Sequence, residues 1–242
     1  MFVPLPNAVG SPSARLKLRL LGYTTKPMLH VKVFLFNPIQ ENTYIVYNDE
    51  NQAIIIDPGC YHENERQEVA RFLEQNHLNL VQLVNTHCHL DHVFGNRYIH
   101  ETYGLDLHMH PLEKTVLDFA PTVGLMWKLP FDNYDGPFVH LKPGEKLQLG
   151  DNYLDILFTP GHSPGSLSFY APREGFVIAG DVLFRAGVGR SDLPGGDFNI
   201  LAQSIREQLY TLPDETRVLP GHGPETTIGY EKKTNPFVAV EA

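Results

Sequence analysis

An α/β fold is predicted by three observations. From Leu29 onward, short β-rich runs alternate with stretches of helical spacing. Several of the β-like runs stop at Gly-containing turns, which let the backbone reverse sharply at the end of a strand. At 242 residues, the chain is long enough to bury a sizeable core as one domain or two intimate halves.

The elements follow in order. Leu29 to Phe36 and Thr43 to Tyr47 are β-rich, and Ala53 to Ile56 is an apolar run ending at Asp57. Glu63 to Asn76 has helical spacing, with Val69, Phe72 and Leu73 on one face. Leu80 to Val84 reads as a strand. A helix is expected from near Asp91 towards Tyr103, then a strand over Leu105 to Met109. Pro111 opens a further helix, at a position where its missing N–H costs nothing. Residues 120–138, rich in Pro, Gly and aromatics, are expected to be irregular and to cover the site. Lys146 to Ala179 reads mostly as β, with strands at Leu154 to Thr159 and Phe176 to Ala179, and Arg217 to Leu219 is another. Asp197 can cap a helix that buries Leu201, Ile205 and Leu209.

Residues 1–27 differ from the rest. Arg15, Lys17, Arg19 and Lys26 are basic, the first acidic residue is Glu41, and Pro4, Pro6 and Pro12 discourage regular structure. A basic targeting segment is one reading. The apolar stretch is short and lacks a clear small-residue cleavage site, which favours a tail, or a start assigned too early with Met28 as the natural one. The folded domain is expected over 28–242.

Chemistry concentrates in Thr86-His87-Cys88-His89-Leu90-Asp91-His92. No fold needs three imidazoles and a carboxylate in one short stretch for packing. His87 and His89 lie two apart, so in an extended segment they point the same way, and Asp91 and His92 follow where the chain can turn. That pattern suits two divalent metals in a small space. Three later strand ends add one ligand each: His162 in Pro160-Gly161-His162-Ser163-Pro164-Gly165, Asp181 after Gly180, and His222 in Pro220-Gly221-His222-Gly223. Cys88 alternates away from its His neighbours, so it is not read as a ligand, and neither is Cys60. His108-Met109-His110 is a second H-x-H, but it lacks a following Asp-His.

Composition narrows the classes. A net charge of −9 gives no electrostatic footprint for nucleic acid or an anionic membrane. No apolar run approaches the roughly 20 residues of a membrane span. Two cysteines do not make a disulfide scaffold, so a reducing, cytoplasmic setting is expected.

His87, His89, Asp91, His92, His162, Asp181 and His222 together resemble the ligand set of the metallo-β-lactamase superfamily of dinuclear hydrolases, from about Met28 to the end of the chain. The nearest resemblance is to glyoxalase II-related, hydroxyacylglutathione hydrolase-like thioester hydrolases, in the short form without a C-terminal helical domain. It is carried by Ile56-Asp57-Pro58-Gly59, Asp91-His92-x-x-Gly95, Gly187-Val188-Gly189-Arg190-Ser191-Asp192 and Pro220-Gly221-His222-Gly223-Pro224. The resemblance implies a four-layer αββα sandwich with two β-rich halves and the metals at one edge of the sheets. It implies that His87, His89 and His162 hold one metal, that Asp91, His92 and His222 hold the other, and that Asp181 bridges. Zinc is the default ion, with iron and manganese also suited to His and Asp donors. A metal-bridging hydroxide would attack a small-molecule thioester such as an S-2-hydroxyacyl conjugate of a low-molecular-weight thiol, with Asp91 orienting it or taking its proton. Asp57 is read as lying behind the ligands, hydrogen-bonded to one of them or its loop.

The chain departs from classical glyoxalase II where a lysine and, two residues later, a tyrosine contact the thiol moiety: Arg190 and Asp192 stand there. Arg190 could serve as a carboxylate clamp; alternatively, Arg190 and Asp192 form a local ion pair. A second reading is a persulfide dioxygenase of the same fold, with one iron on the positions of His87, His162 and Asp181. The Thr86–His92 motif and the Gly-Arg-x-Asp segment resemble those enzymes, whereas Pro220–Pro224 looks like the hydrolases. A third is a non-catalytic metal or ligand binder, against which the complete ligand set argues.

Overall fold

A computed structural model describes residues 28–239; the expectations for residues 1–27 lie outside that range. The chain forms two six-stranded sheets. Strands β1 (Leu29–Phe36), β2 (Glu41–Asn48), β3 (Gln52–Ile56), β4 (Asn79–Val84), β5 (Leu107–Met109) and β6 (Phe138–His140) lie in that order in the first. β1 to β3 are antiparallel neighbours, and β3 to β6 are parallel. The second sheet has the order β14 (Thr226–Thr227), β13 (Arg217–Pro220), β10 (Phe176–Gly180), β9 (Leu167–Ala171), β8 (Asn152–Phe158) and β7 (Lys146–Leu149). β11 (Leu183–Phe184) and β12 (Gly187–Val188) make a small separate ribbon.

Period-two alternation builds the layers. In β3, Ile54 and Ile56 point into an inter-sheet core with Leu154, Ile156, Phe169 and Ile178. Ala53 and Ile55 point the other way, into a core shared with helices α1 (Glu63–Gln75), α2 (Leu90–Val93), α3 (Asn96–Tyr103) and α4 (Lys114–Met126). In β10, Phe176 and Ile178 face the first sheet. Val177 and Ala179 face α5 (Phe198–Ser204), its π-helical continuation over Ile205–Leu209, and α6 (Ile228–Thr234). The result is the αββα sandwich. Strands buried on both faces explain why these runs are continuously apolar rather than alternating. Each fully buried Ile adds about 1.5–3 kcal/mol.

Asp197 accepts hydrogen bonds from the backbone N–H groups of Asn199 and Ile200, and Leu201, Ile205 and Leu209 are fully buried, as expected. Two expectations fail. The helix read from Asp91 to Tyr103 is two helices, broken at Phe94–Gly95. There the chain closes on the loop after β3: Gly95 N donates to Pro58 O at 2.7 Å, and a Cβ on Gly95 would lie 2.3 Å from Cys60 Sγ. Residues 120–138 are not irregular throughout, because α4 continues to Met126 with Pro121 inside it. Proline removes the N–H that would bond Leu117 O, and the side chain of Asn133 donates to that carbonyl instead at 2.7 Å. Phe72 shares its face with Val69 and Leu73 as read, half-buried against the same core and edge-on to Phe34.

Candidate metal centre

The predicted ligands come from loops, and from the short helix α2, at one edge of the sandwich. β3, β4, β8, β10 and β13 release, respectively, Asp57, the His87–His92 segment, His162, Asp181 and His222. β8 and β10 are both antiparallel to β9, and β13 is parallel to β10, so all three end at the same side. Backbone and side-chain bonds stitch the sheets together at this edge: Leu167 N to Thr86 O at 2.8 Å, Asn42 N to Gly221 O and Tyr44 OH to Pro220 O, both at 2.7 Å. Gly221 is required by proximity, since a Cβ there would lie 2.1 Å from Asp181 Oδ1.

Two trios of donors result. In the first, His162 Nε2 lies 2.8 Å from His89 Nδ1 and 3.2 Å from His87 Nε2. In the second, Asp91 Oδ2 lies 3.0 Å from His222 Nε2 and 3.7 Å from His92 Nε2. Asp181 sits between them. Its Oδ2 is 3.5 Å from His162 Nε2 and 3.6 Å from His222 Nε2, and its Oδ1 is 3.5 Å from His92 Nε2. His92 Nε2 and Asp181 Oδ1 are buried without a hydrogen-bond partner. Ring nitrogens crowded together, with buried donor atoms unsatisfied beside them, fit a pair of cations at their centre. Seven candidate donors exceed what one tetrahedral ion uses.

The rear of four of the five rings is held. His92 Nδ1 faces Asp57 Oδ2 at 3.1 Å, His87 Nδ1 faces Thr86 Oγ1 at 3.0 Å, His162 Nδ1 faces Arg190 O at 2.6 Å, and His222 Nδ1 faces Gln40 O at 3.1 Å. Such partners orient a ring and fix its tautomer. Asp57 is therefore behind the ligands. It adopts a left-handed φ of 51°, which costs roughly 1–2 kcal/mol for a residue with a side chain. In that conformation its carboxylate accepts from Thr86 N at 2.7 Å, Thr86 Oγ1 at 2.6 Å and Asn85 Nδ2 at 3.1 Å. Asp57, His87 and His92 also form a trio within ligand range, but the nitrogens turned towards Asp57 are those already hydrogen-bonded.

Electrostatics differ between the trios. Burial, then the neighbouring imidazoles, pushes His87 well below its usual pKa, and the same causes lower His89 to about 3. Burial also lowers His162. These rings are neutral, with lone pairs free for a cation. Burial opposes charge on His92 too, but the carboxylates of Asp181, Asp91 and Asp57 outweigh it and raise the ring well above its usual value. His222 is raised against its burial by its bond to Asp91 and by Asp181. Burial would lift Asp91 and Asp181; His92 leads the groups that hold both below the usual carboxylate range.

Two buried carboxylates escaped the sequence analysis. Glu113 is fully buried. Its Oε2 accepts from Cys88 N at 2.8 Å, and its Oε1 accepts from Ser163 Oγ and Gly165 N, both at 2.6 Å. It thereby ties the loop bearing His87 and His89 to the loop bearing His162. Glu41 is also fully buried, accepts from Thr43 Oγ1 at 2.8 Å and lies 4.0 Å from His92 Nδ1; burial raises its carboxyl well above the usual range. No local spacing marks Glu113, whose partners lie in distant segments, and Glu41 is marked only by the contact it makes with remote His92.

The remaining candidates are placed as follows. Cys88 packs in the helix-side core, 3.5 Å from Met109 Sδ, and Cys60 is buried in the same core. His108 and His110 belong to none of the ligand trios found among the described residues. Arg190 contributes its carbonyl to His162, while its guanidinium is bidentate on Asp192 at 2.7 and 2.9 Å. A cavity of about 470 Å³ opens over the ligands. No helix among the described residues is long and apolar enough to cross a membrane.

A family model described as the metallo-beta-lactamase superfamily matches residues 36–222. Among curated proteins, the chain is 39% identical to a probable metallo-hydrolase, YqgX, of Bacillus subtilis, over 83% of this chain and 93% of that protein. It is 34% identical to the hydroxyacylglutathione hydrolase GloC of Haemophilus influenzae, over 87% of this chain and 98% of that protein. Among solved structures, TTHA1623 in a di-iron-bound form is 38% identical, covers 85% of this chain and 99% of its own, and superposes with a TM-score of 0.77.

Proposed function

Because this chain belongs to the metallo-beta-lactamase superfamily, we propose that it is a dinuclear metal-dependent hydrolase that cleaves thioesters, such as S-2-hydroxyacyl conjugates of a low-molecular-weight thiol. The observation that carries this reading is Asp181, whose oxygens face nitrogens of both trios. His87, His89 and His162 would hold one divalent ion and Asp91, His92 and His222 the other, with Asp181 shared. The donor set suits zinc, iron or manganese, and the similarity to a di-iron protein keeps iron in view beside zinc. When bound, the ions supply a water acidified to reactivity near neutral pH and a Lewis acid for the carbonyl oxygen.

The protein's own groups do the rest. Asp57, Thr86, Gln40 and the Arg190 carbonyl hold the rings in register. Asp91, held below the usual carboxylate range chiefly by His92, stays ionised and can orient the attacking water. A thiolate leaves without a strong general acid, and no uncommitted acid is needed beside the leaving group. Similarity to a hydroxyacylglutathione hydrolase supports the thioester assignment. The test is turnover of an S-lactoyl thioester alongside metal content, in the wild type and in Asp181→Ala. A competing reading, a persulfide dioxygenase with one iron on His87, His162 and Asp181, draws on the fact that these three also converge. It leaves His89, Asp91, His92 and His222 without a task.

A further inference from the structure

The cavity beside the trios is walled by one face of α4. Val116, Phe119 and Val123 on α4 and Trp127, the residue that ends it, recur at three- and four-residue steps, with Phe184 and Leu193 also lining the cavity. Phe119 and Trp127 remain 51% and 54% exposed, a large apolar surface to leave uncovered next to a buried polar cluster. Apart from the ligands, the charged lining residue is Arg190, and Asp192 already neutralises its guanidinium. Among the described residues, nothing else in the lining would balance the carboxylates of a peptide-like thiol carrier.

Resting on the thioesterase reading above, we propose that this enzyme selects thioesters by an uncharged apolar chain laid along the Val116–Trp127 face of α4, and not by a carboxylate. Such a cavity falls in the usual size range for a small-molecule site. The same chemistry could enter on the acyl or on the thiol side of the scissile bond, so the test has two arms. With the metal-loaded full-length protein, one arm uses N-acetylcysteamine thioesters of acetyl, butanoyl and hexanoyl groups. The other uses acetyl thioesters of ethyl, butyl and hexyl thiols. Burial of each added methylene is expected to raise kcat/KM about 2- to 4-fold in at least one arm. A succinyl thioester is expected to fall below the butanoyl one. Phe119→Ala should shrink the hexanoyl-to-acetyl ratio, or the hexyl-to-ethyl ratio on the other arm.

Trp127 is the chain's one tryptophan, so occupancy can also be read without turnover. The non-hydrolysable thioether S-hexyl-N-acetylcysteamine should shift its emission saturably. An emission shift with no thioester hydrolysed would uphold the apolar site and remove the thioesterase reading. Hydrolysis that is flat with chain length in both arms, or fastest with the succinyl ester, would overturn the apolar site and leave the thioesterase reading intact.

Discussion

Glu113→Gln tests how the site is held together. The native carboxylate accepts three hydrogen bonds from two ligand loops, and all three partners are donors. An amide has one acceptor end, so its NH₂ must face either Cys88 N or the Ser163 Oγ and Gly165 N pair. The milder arrangement still sacrifices the Cys88 bond and strands that buried N–H. A lost hydrogen bond to a charged group is worth about 1.5–3 kcal/mol. For a chain of this size, each kcal/mol moves Tm by roughly 2–4 °C, so a fall of about 3–12 °C is expected. The lesion separates the segment carrying His87 and His89 from that carrying His162. Disturbing groups that orient ligands typically weakens metal binding 10- to 100-fold. Chelator competition should therefore release metal from the first trio before the second, and Glu113→Ala should be worse on both readouts. A Glu113→Gln protein that melts within 1 °C of wild type and holds metal equally well would refute the reasoning.

Further outcomes follow from the same geometry. Asp181→Ala should abolish turnover and lower occupancy at both metal positions, measured by elemental analysis; near-normal activity would show that the carboxylate is not shared. Metal loading should depend on pH asymmetrically: the lowered His87, His89 and His162 are neutral in mild acid, whereas the raised His92 and His222 must give up protons first. One equivalent should therefore bind in mild acid and the second as pH rises. The metal-free chain should show the opposite trend in stability. The contribution of protonated His92 among its carboxylates is complete below about 6.5, its unfolded value, and is lost as pH rises through the raised folded value; thermal melts of metal-free protein across pH would check the direction. The double variant Arg190→Ala/Asp192→Asn, which removes the ion pair without leaving a lone charge, should change kcat/KM alike for carboxylate-bearing and uncharged thioesters, since Asp192 occupies the guanidinium; a loss confined to charged substrates would restore the carboxylate-clamp role.

Much of this was legible in the residues. β1 occurs over Leu29–Phe36 as read, and the side chains of the His87–His92 motif converge with those on the three Gly-containing turns. Those signals are local: a two-residue period, a turn residue, a ligand two positions from the next. What escaped depends on contacts between distant segments. Residues 120–138 read as irregular because nothing nearby in sequence announces Asn133 at the Leu117 carbonyl that Pro121 frees. Gly95 breaks a helix because the Pro58–Cys60 loop presses on it. Glu113 and Glu41 look like ordinary surface acids until the fold buries them against loops remote in sequence. Arg190 and Asp192 showed the ion pair that the local reading allowed, but the apolar wall of α4 beside them needed the helix to be placed.

The central claim is a two-metal hydrolase, and its most direct test is metal titration with activity measured in parallel. Metal-free full-length protein receives zinc, iron or manganese stepwise, with bound metal quantified and both S-lactoyl thioester hydrolysis and persulfide-dependent oxygen uptake followed. Two equivalents per chain are expected, with hydrolysis at its full rate once the second is bound and no oxygen consumed. Saturation at one iron per chain, with oxygen consumed in the presence of a thiol persulfide and no thioester cleaved, would contradict it.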